Sequence, residues 1–210
     1  MKKLLLATLT SLALIGNSFA QDESNEMKTL FGNNQSQGGY FALYGGYSEI
    51  NGIEGVTVGS RAAWVAGHSF AIGVVGNGFM NNFTTIGSEQ SNLAGGYGGI
   101  LLEPILFPRF PVHLAFPVVL GGGGIAYTVS SKDSYNSDWT SYVEDMDVFL
   151  IAEPGAELEF NITRFFRLGL GASYRISSPV HLEKTTAIDQ VREDALNGLS
   201  VGLSLKFGRF

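Results

Sequence analysis

Residues 147–176 read DVFLIAEPGAELEFNITRFFRLGLGASYRI. Val148, Leu150, Ala152, Ala156, Leu158 and Phe160 form one apolar row, and Phe166, Leu168, Leu170, Ala172, Tyr174 and Ile176 form a second. Alternation at period two is the signature of a strand, whose successive side chains point to opposite faces. The opposite row carries Asp147, Glu153, Glu157 and Glu159 before the turn, and Arg167 and Arg175 after it. A soluble sheet puts its apolar row inside and scatters polar groups in water. Here full charges alternate with clean apolar rows, which fits a hairpin whose apolar face meets lipid and whose charges line the inside of a small barrel. An odd-length loop centred on Thr163 would set Glu159 opposite Arg167, with Glu157 as its diagonal neighbour, and so predicts an inward ion pair.

Bulk properties agree with an exported, non-nucleic-acid-binding chain. It opens with MKKLLLATLTSLALIGNSFA: a basic start at Lys2 and Lys3, a short apolar run, and the small-residue site Ser18-Phe19-Ala20. This is the pattern of a cleaved signal peptide over residues 1–20. Of the 13 Lys and Arg, two lie in this leader, which leaves 11 against 19 Asp and Glu, a net charge near −8. That balance argues against nucleic acid as a partner. There is no cysteine, so disulfides, thiolate metal sites and cysteine nucleophiles are excluded. The 28 glycines among 210 residues are well above the average of about 7%. They sit inside apolar alternating runs, where glycine permits bending and close strand approach.

Residues 21–37 are polar and aperiodic and read as a disordered arm. Residues 38–210 then divide into eight strands, near 39–48, 54–65, 69–79, 93–103, 112–129, 147–160, 166–176 and 196–210. Short connections follow strands two, four and six, and long ones follow three, five and seven. Asn51-Gly52 is a tight-turn signal after strand one. The fold class is therefore all-β: an eight-stranded antiparallel up-and-down transmembrane barrel with a filled polar interior. The inward row carries Arg61, Glu103, Asp147, Glu153, Glu157, Glu159, Arg167, Arg175 and Lys206, and buried charges must pair. The predicted interior ion pairs draw on Glu153, Glu157, Glu159, Arg167, Arg175 and Arg61.

The leader, the glycine-rich amphipathic strands and the terminal GLSLKFGRF resemble a small bacterial outer-membrane β-barrel. This group includes OmpX-like proteins, the OmpA-type membrane domain and uncharacterised outer-membrane β-barrel domain proteins. The hairpin EPGAELEFNITRFFRLGLGASYR carries most of the likeness, which spans about residues 38–210. The resemblance implies an outer-membrane location, with outer-membrane lipids and lipopolysaccharide as surroundings. It also implies that Phe210 is read by the barrel-assembly machinery as an insertion signal. The apolar set of the last strand is one residue out of phase with that family pattern, and a bulge near Gly208 would restore it.

The sequence offers no cofactor motif. Gly95–Gly99 and Gly121–Gly124 lack the following helix and lysine of a phosphate loop, so they read as close strand packing. Ser178, His181 and Asp189 are the only residues that could imitate an outer-leaflet hydrolytic site, and all three fall on one polar loop. Acidic residues of the loop 130–146 lack EF-hand spacing. Tyr135, Trp139 and Tyr142 in that loop are candidate contacts for a partner or glycan. The function that follows is a structural or surface-exposed barrel without catalysis. A narrow channel or carrier for small or apolar ligands is the first alternative, and an outer-leaflet lipid-acting enzyme the second.

Overall fold

The computed structural model describes residues 37–81, 84–86, 89–132, 139–182 and 191–210. The expected signal peptide and nearly all of the expected arm lie outside these residues. The strands are β1 (Gln37–Ile50), β2 (Ile53–Ala66), β3 (Phe70–Asn81), β4 (Thr84–Ile86), β5 (Glu89–Leu106), β6 (Val112–Ala115), β7 (Val118–Lys132), β8 (Trp139–Asn161), β9 (Phe166–Ser177) and β10 (Gly198–Arg209). Every pairing is antiparallel. The order β1-β2-β3-β5-β7-β8-β9-β10 closes on itself, because β10 pairs with β1 from Gly39 opposite Arg209 to Ser48 opposite Ser200. The short β4 extends the β5 edge beyond β3, and β6 continues the β7 position after a break at Phe116-Pro117. The ring thus has eight strand positions and no free edge around its girth, the closed geometry that satisfies backbone groups without water.

The alternation in the sequence becomes a two-sided wall. Leu43, Val58, Val74, Ile100, Leu120, Leu150, Leu170 and Leu203 point outward and are exposed. Arg175 and Lys206, with no exposure at all, point inward. Aromatic side chains collect on the outside near the turn end, where Phe166 stacks on Phe207 at 4.9 Å between ring centres. An exterior more apolar than the interior is stable only where the outer solvent is lipid.

Local sequence explains the turns. Asn51 and Gly52 both have positive φ, 55° and 77°, the backbone of a type I′ turn, which closes the β1–β2 hairpin with Ile50 opposite Ile53. The two glycine runs face each other across β5 and β7: Gly96 is opposite Gly124, Gly98 opposite Gly122 and Gly99 opposite Gly121. A Cβ on Gly121 or Gly123 would run into the carbonyls of Gly98 and Gly96, so these glycines serve close strand approach.

Several boundaries differ from the sequence reading. Most of the expected polar loop 80–92 is strand, and β5 continues through Pro104 to Leu106. Proline is tolerated there because its missing N–H leaves the other side of the ladder intact. The β8–β9 loop is odd in length but centred on Arg164, not Thr163. Asn161 lies opposite Arg167, and Glu159 opposite Gly169. A two-residue slip preserves the faces, which is why the alternation alone does not detect it. The bulge expected near Gly208 is absent: the β1–β10 register runs without a shift, and Gly208 lies opposite Tyr40.

Candidate functional site

The interior has two zones. At the end that holds the short turns and Phe210, seven ionisable groups converge from six strand positions. Lys206 on β10 projects its Nζ into three carboxylates, at 2.5 Å from Glu159 Oε1, 2.8 Å from Glu103 Oε2 and 3.2 Å from Glu157 Oε2. Arg61 on β2 reaches Glu157 at 2.7 Å and Glu103 at 3.8 Å. Arg167 on β9 and His113 on β6 both meet Glu159 Oε2, at 3.3 and 2.8 Å. The Tyr40 hydroxyl donates to Glu103 at 3.1 Å. The cluster therefore sets three carboxylates against three permanent cations, nearly all of it out of contact with solvent.

Three carboxylates whose oxygens lie within 4.8 Å of one another have the donor set for a hard cation. The Lys206 ammonium already occupies the position between them. The arrangement is a closed structural network in which each charge is desolvated and compensated in place.

Aromatic rings cover the cations. Tyr40 lies 4.9 Å from Lys206 Nζ, Tyr44 lies 5.4 Å from the Arg61 guanidinium, and Phe210 lies 3.8 Å from that of Arg167. Phe210 also stacks on Tyr40 at 5.8 Å. The C-terminal ring is thus turned inward as a lid on the cluster. The reason is the uninterrupted β10 register. Phe207 faces out, so three residues on the chain favours the inside.

Glu153 and Arg175, expected as a further ion pair, do not pair. Glu153 accepts from the Tyr97 hydroxyl at 2.5 Å and from Ser173 Oγ at 2.6 Å. Arg175 turns toward the loop end, donating from Nε to the Leu196 carbonyl at 2.6 Å, and from Nη2 to Ser48 Oγ at 2.8 Å and the Glu49 carbonyl at 3.2 Å. Among the described residues neither has an oppositely charged partner within ion-pair distance. A cavity of about 20 Å³ beside Glu153 is lined by Tyr44, Arg61, Asn77, Glu157 and Ser173, among others.

The loop-end zone is apolar, which the expected polar interior did not include. Phe79, Tyr97 and Phe149 form a ring cluster with centres 6.2–6.5 Å apart. Above it Ile50, Leu93, Ile125 and Tyr127 pack with Val180, Ala195 and Leu196. These last three come from the connection between β9 and β10, so the chain's own aliphatic residues close the barrel mouth. Hydrogen bonds hold them there: Asn51 N–H to Ala195 C=O at 2.6 Å, Val180 N–H to Glu193 C=O at 3.0 Å, and Ser177 N–H to Asn197 Oδ1 at 2.7 Å.

The remaining candidates are not assembled into a site. Ser178 Oγ accepts from Leu150 N–H at 3.0 Å, and the His181 ring lies 3.9 Å from Glu193. Asp189 is outside the described residues, as is Tyr135. Trp139 and Tyr142 fall on β8 rather than in a loop. Lys206, Glu103 and His113 were missing from the predicted ion pairs. The first two were legible as inward charges, but His113 had no signal beyond its alternation with Val112 and Leu114.

No family model matches the chain, and no curated protein matches it. Among solved structures it is similar to Neisserial surface protein A (10% identity, TM-score 0.48, 81% of this chain and 95% of that one). It is also similar to a major outer membrane protein from Thermus thermophilus (11% identity, TM-score 0.48, 81% and 98%). A third is the N-terminal β-barrel domain of Pseudomonas aeruginosa OprF (12% identity, TM-score 0.40, 83% and 98%). The chain's own polarity, apolar outside and ionised inside on a closed eight-position ring, makes it a transmembrane barrel of the outer-membrane type.

Proposed function

We propose that the protein is a non-enzymatic structural barrel of the outer membrane that presents its loop end at the cell surface. Outer-membrane lipids and lipopolysaccharide surround its girth, and the short-turn end faces the periplasm. The observation that carries this reading is the filled interior. A compensated ion cluster occupies one half, and aromatic and own-chain aliphatic side chains occupy the other. Two interior cavities among the described residues, beside Glu153 and Leu93, are each about 20 Å³, room for about one water apiece. This favours a plug over the channel alternative.

The barrel-assembly machinery is the expected partner during insertion. Because the Phe210 ring lies inside the finished barrel, recognition of Phe210 would act on the chain before closure.

Cell fractionation with unheated gel electrophoresis tests the membrane reading. The protein is expected in the outer-membrane fraction, with a mobility that changes on boiling. Recovery in the soluble periplasm would refute it. Planar-bilayer recording tests the plug: steps of conductance from the purified barrel would move the assignment to a channel.

A further inference from the structure

We infer that the described runs 178–182 and 191–197 form a releasable lid on the barrel mouth, with Arg175 as its latch and Glu153 as the partner that Arg175 takes when the lid lifts. Ala152 lies opposite Ile176, and Gly155 opposite Ser173. The same register sets Glu153 opposite Arg175, both inward and both buried. Directly opposed side chains on adjacent strands have Cβ atoms about 4.5–5.5 Å apart. An arginine and a glutamate so placed can pair by rotamer changes alone, without moving the strands.

In the closed barrel they do not. The guanidinium is turned to the mouth, where two of its three hydrogen bonds are to backbone carbonyls, those of Leu196 in the lid and Glu49 beside it. Its Nη1 has no hydrogen-bond partner among the described residues. The Glu153 carboxylate is held by two neutral hydroxyls. A buried cation and a buried carboxylate, each lacking a counter-ion among the described residues while within reach of one another, mark an arrangement with a second solution. Taking that solution removes a hydrogen bond from Leu196 and so loosens the lid. The ion cluster around Lys206 uses neither residue and keeps the other half of the barrel fixed. What the lid covers is apolar: Leu93, Ile125, Tyr127 and the Phe79–Phe149 cluster.

The test uses the absence of native cysteine. Leu93, which shares a cavity with Val191 of the lid, is changed to Cys in the otherwise complete mature chain. Reaction with a polar thiol reagent is then timed on folded protein in micelles, where the side of the membrane does not matter. The unheated gel reports folding separately, and fractionation separately tests the membrane reading on which the lid's outward orientation rests. Arg175→Met, which removes the latch, is expected to raise the labelling rate about tenfold. Glu153→Gln, which removes the charge of the alternative partner while keeping its shape, with the amide oxygen accepting from one hydroxyl and the amide N–H donating to the other, is expected to lower it severalfold. A purely structural Glu153 predicts the opposite sign, since weakening a core contact loosens its surroundings. An unchanged or faster rate in Glu153→Gln overturns the inference. That arm alone decides the question if Arg175→Met does not fold.

Discussion

Replacing Lys206 by Met should be the most damaging single change in the interior. Lys206 is fully buried, and among the described residues its ammonium is the only cation shared by Glu103, Glu157 and Glu159. Without it the other carboxylates fare unequally. Glu157 keeps Arg61 at 2.7 Å, and Glu159 keeps His113 and Arg167 at 2.8 and 3.3 Å. Glu103 is left with the Tyr40 hydroxyl and a distant Arg61 at 3.8 Å. Breaking a buried pair by removing one partner costs about 3–5 kcal/mol, a large share of a total stability of about 5–15 kcal/mol. With a urea m-value of about 2 kcal/mol per M, the unfolding midpoint should fall by about 1.5–2.5 M. The assay is urea unfolding in micelles, followed by tryptophan fluorescence and by mobility on the unheated gel. Because the loss concentrates on Glu103, the double variant Lys206→Met with Glu103→Gln should recover most of the midpoint, since removing both partners of a buried pair is often close to neutral. A single-variant shift under about 0.5 M, or a double variant no more stable than the single, would refute the account of the cluster.

Three further outcomes follow from the same geometry. Leu170→Arg places a charge on the exposed outer face of β9 and should cost about 2–4 kcal/mol in lipid if the residue sits near the bilayer midplane; an unchanged midpoint in vesicles would mean the outer face is not lipid-facing. Phe210→Ala removes the ring over Arg167 and should lower stability by about 1–2 kcal/mol, read by the same titration. Its level in the outer membrane of cells separately reports the assembly role. Gly123→Ala drives a Cβ into the Gly96 carbonyl and the Tyr97 backbone and should cost about 1–3 kcal/mol, with near-ultraviolet dichroism reporting displacement of Tyr97.

The faces of the sheet were legible in the sequence because alternation is a local property. Val148, Leu150 and Leu158 against Glu153, Glu157 and Glu159 suffices to set inside and outside for β8, and the same holds on each other strand. The ends were less legible. The β8–β9 loop needed its centre located to within one residue, and Thr163 and Arg164 give the same face pattern when the loop shifts register by two. The inward turn of Phe210 follows the chain's own parity, since Phe207 faces out and β10 runs without a bulge. Of the partnerships among the inward charges, only that of Glu159 with Arg167, on strands joined by one turn, was legible. Lys206 on β10 meets Glu103 on β5 across the barrel, at a sequence separation of 103 residues, and no local pattern encodes which charges share a layer.

Among the described residues the buried interior charges are four acids, Glu103, Glu153, Glu157 and Glu159, and four permanent bases, Arg61, Arg167, Arg175 and Lys206. A count alone would predict four ion pairs. The structure divides them unevenly: three against three in a dense cluster, and one against one left apart. The cluster has several contacts per charge, so no single rotamer change improves it. It forms a fixed floor on which a large share of the barrel's stability is expected to rest. The separated pair has the opposite character. Each member has accepted neutral partners although its mate is one strand away, and the arginine's partners include the segment that closes the mouth. Charge balance along the barrel axis therefore assigns rigidity to the turn end and adjustability to the loop end. For a protein whose surface contacts would lie at the loop end, that is the half in which movement has consequences.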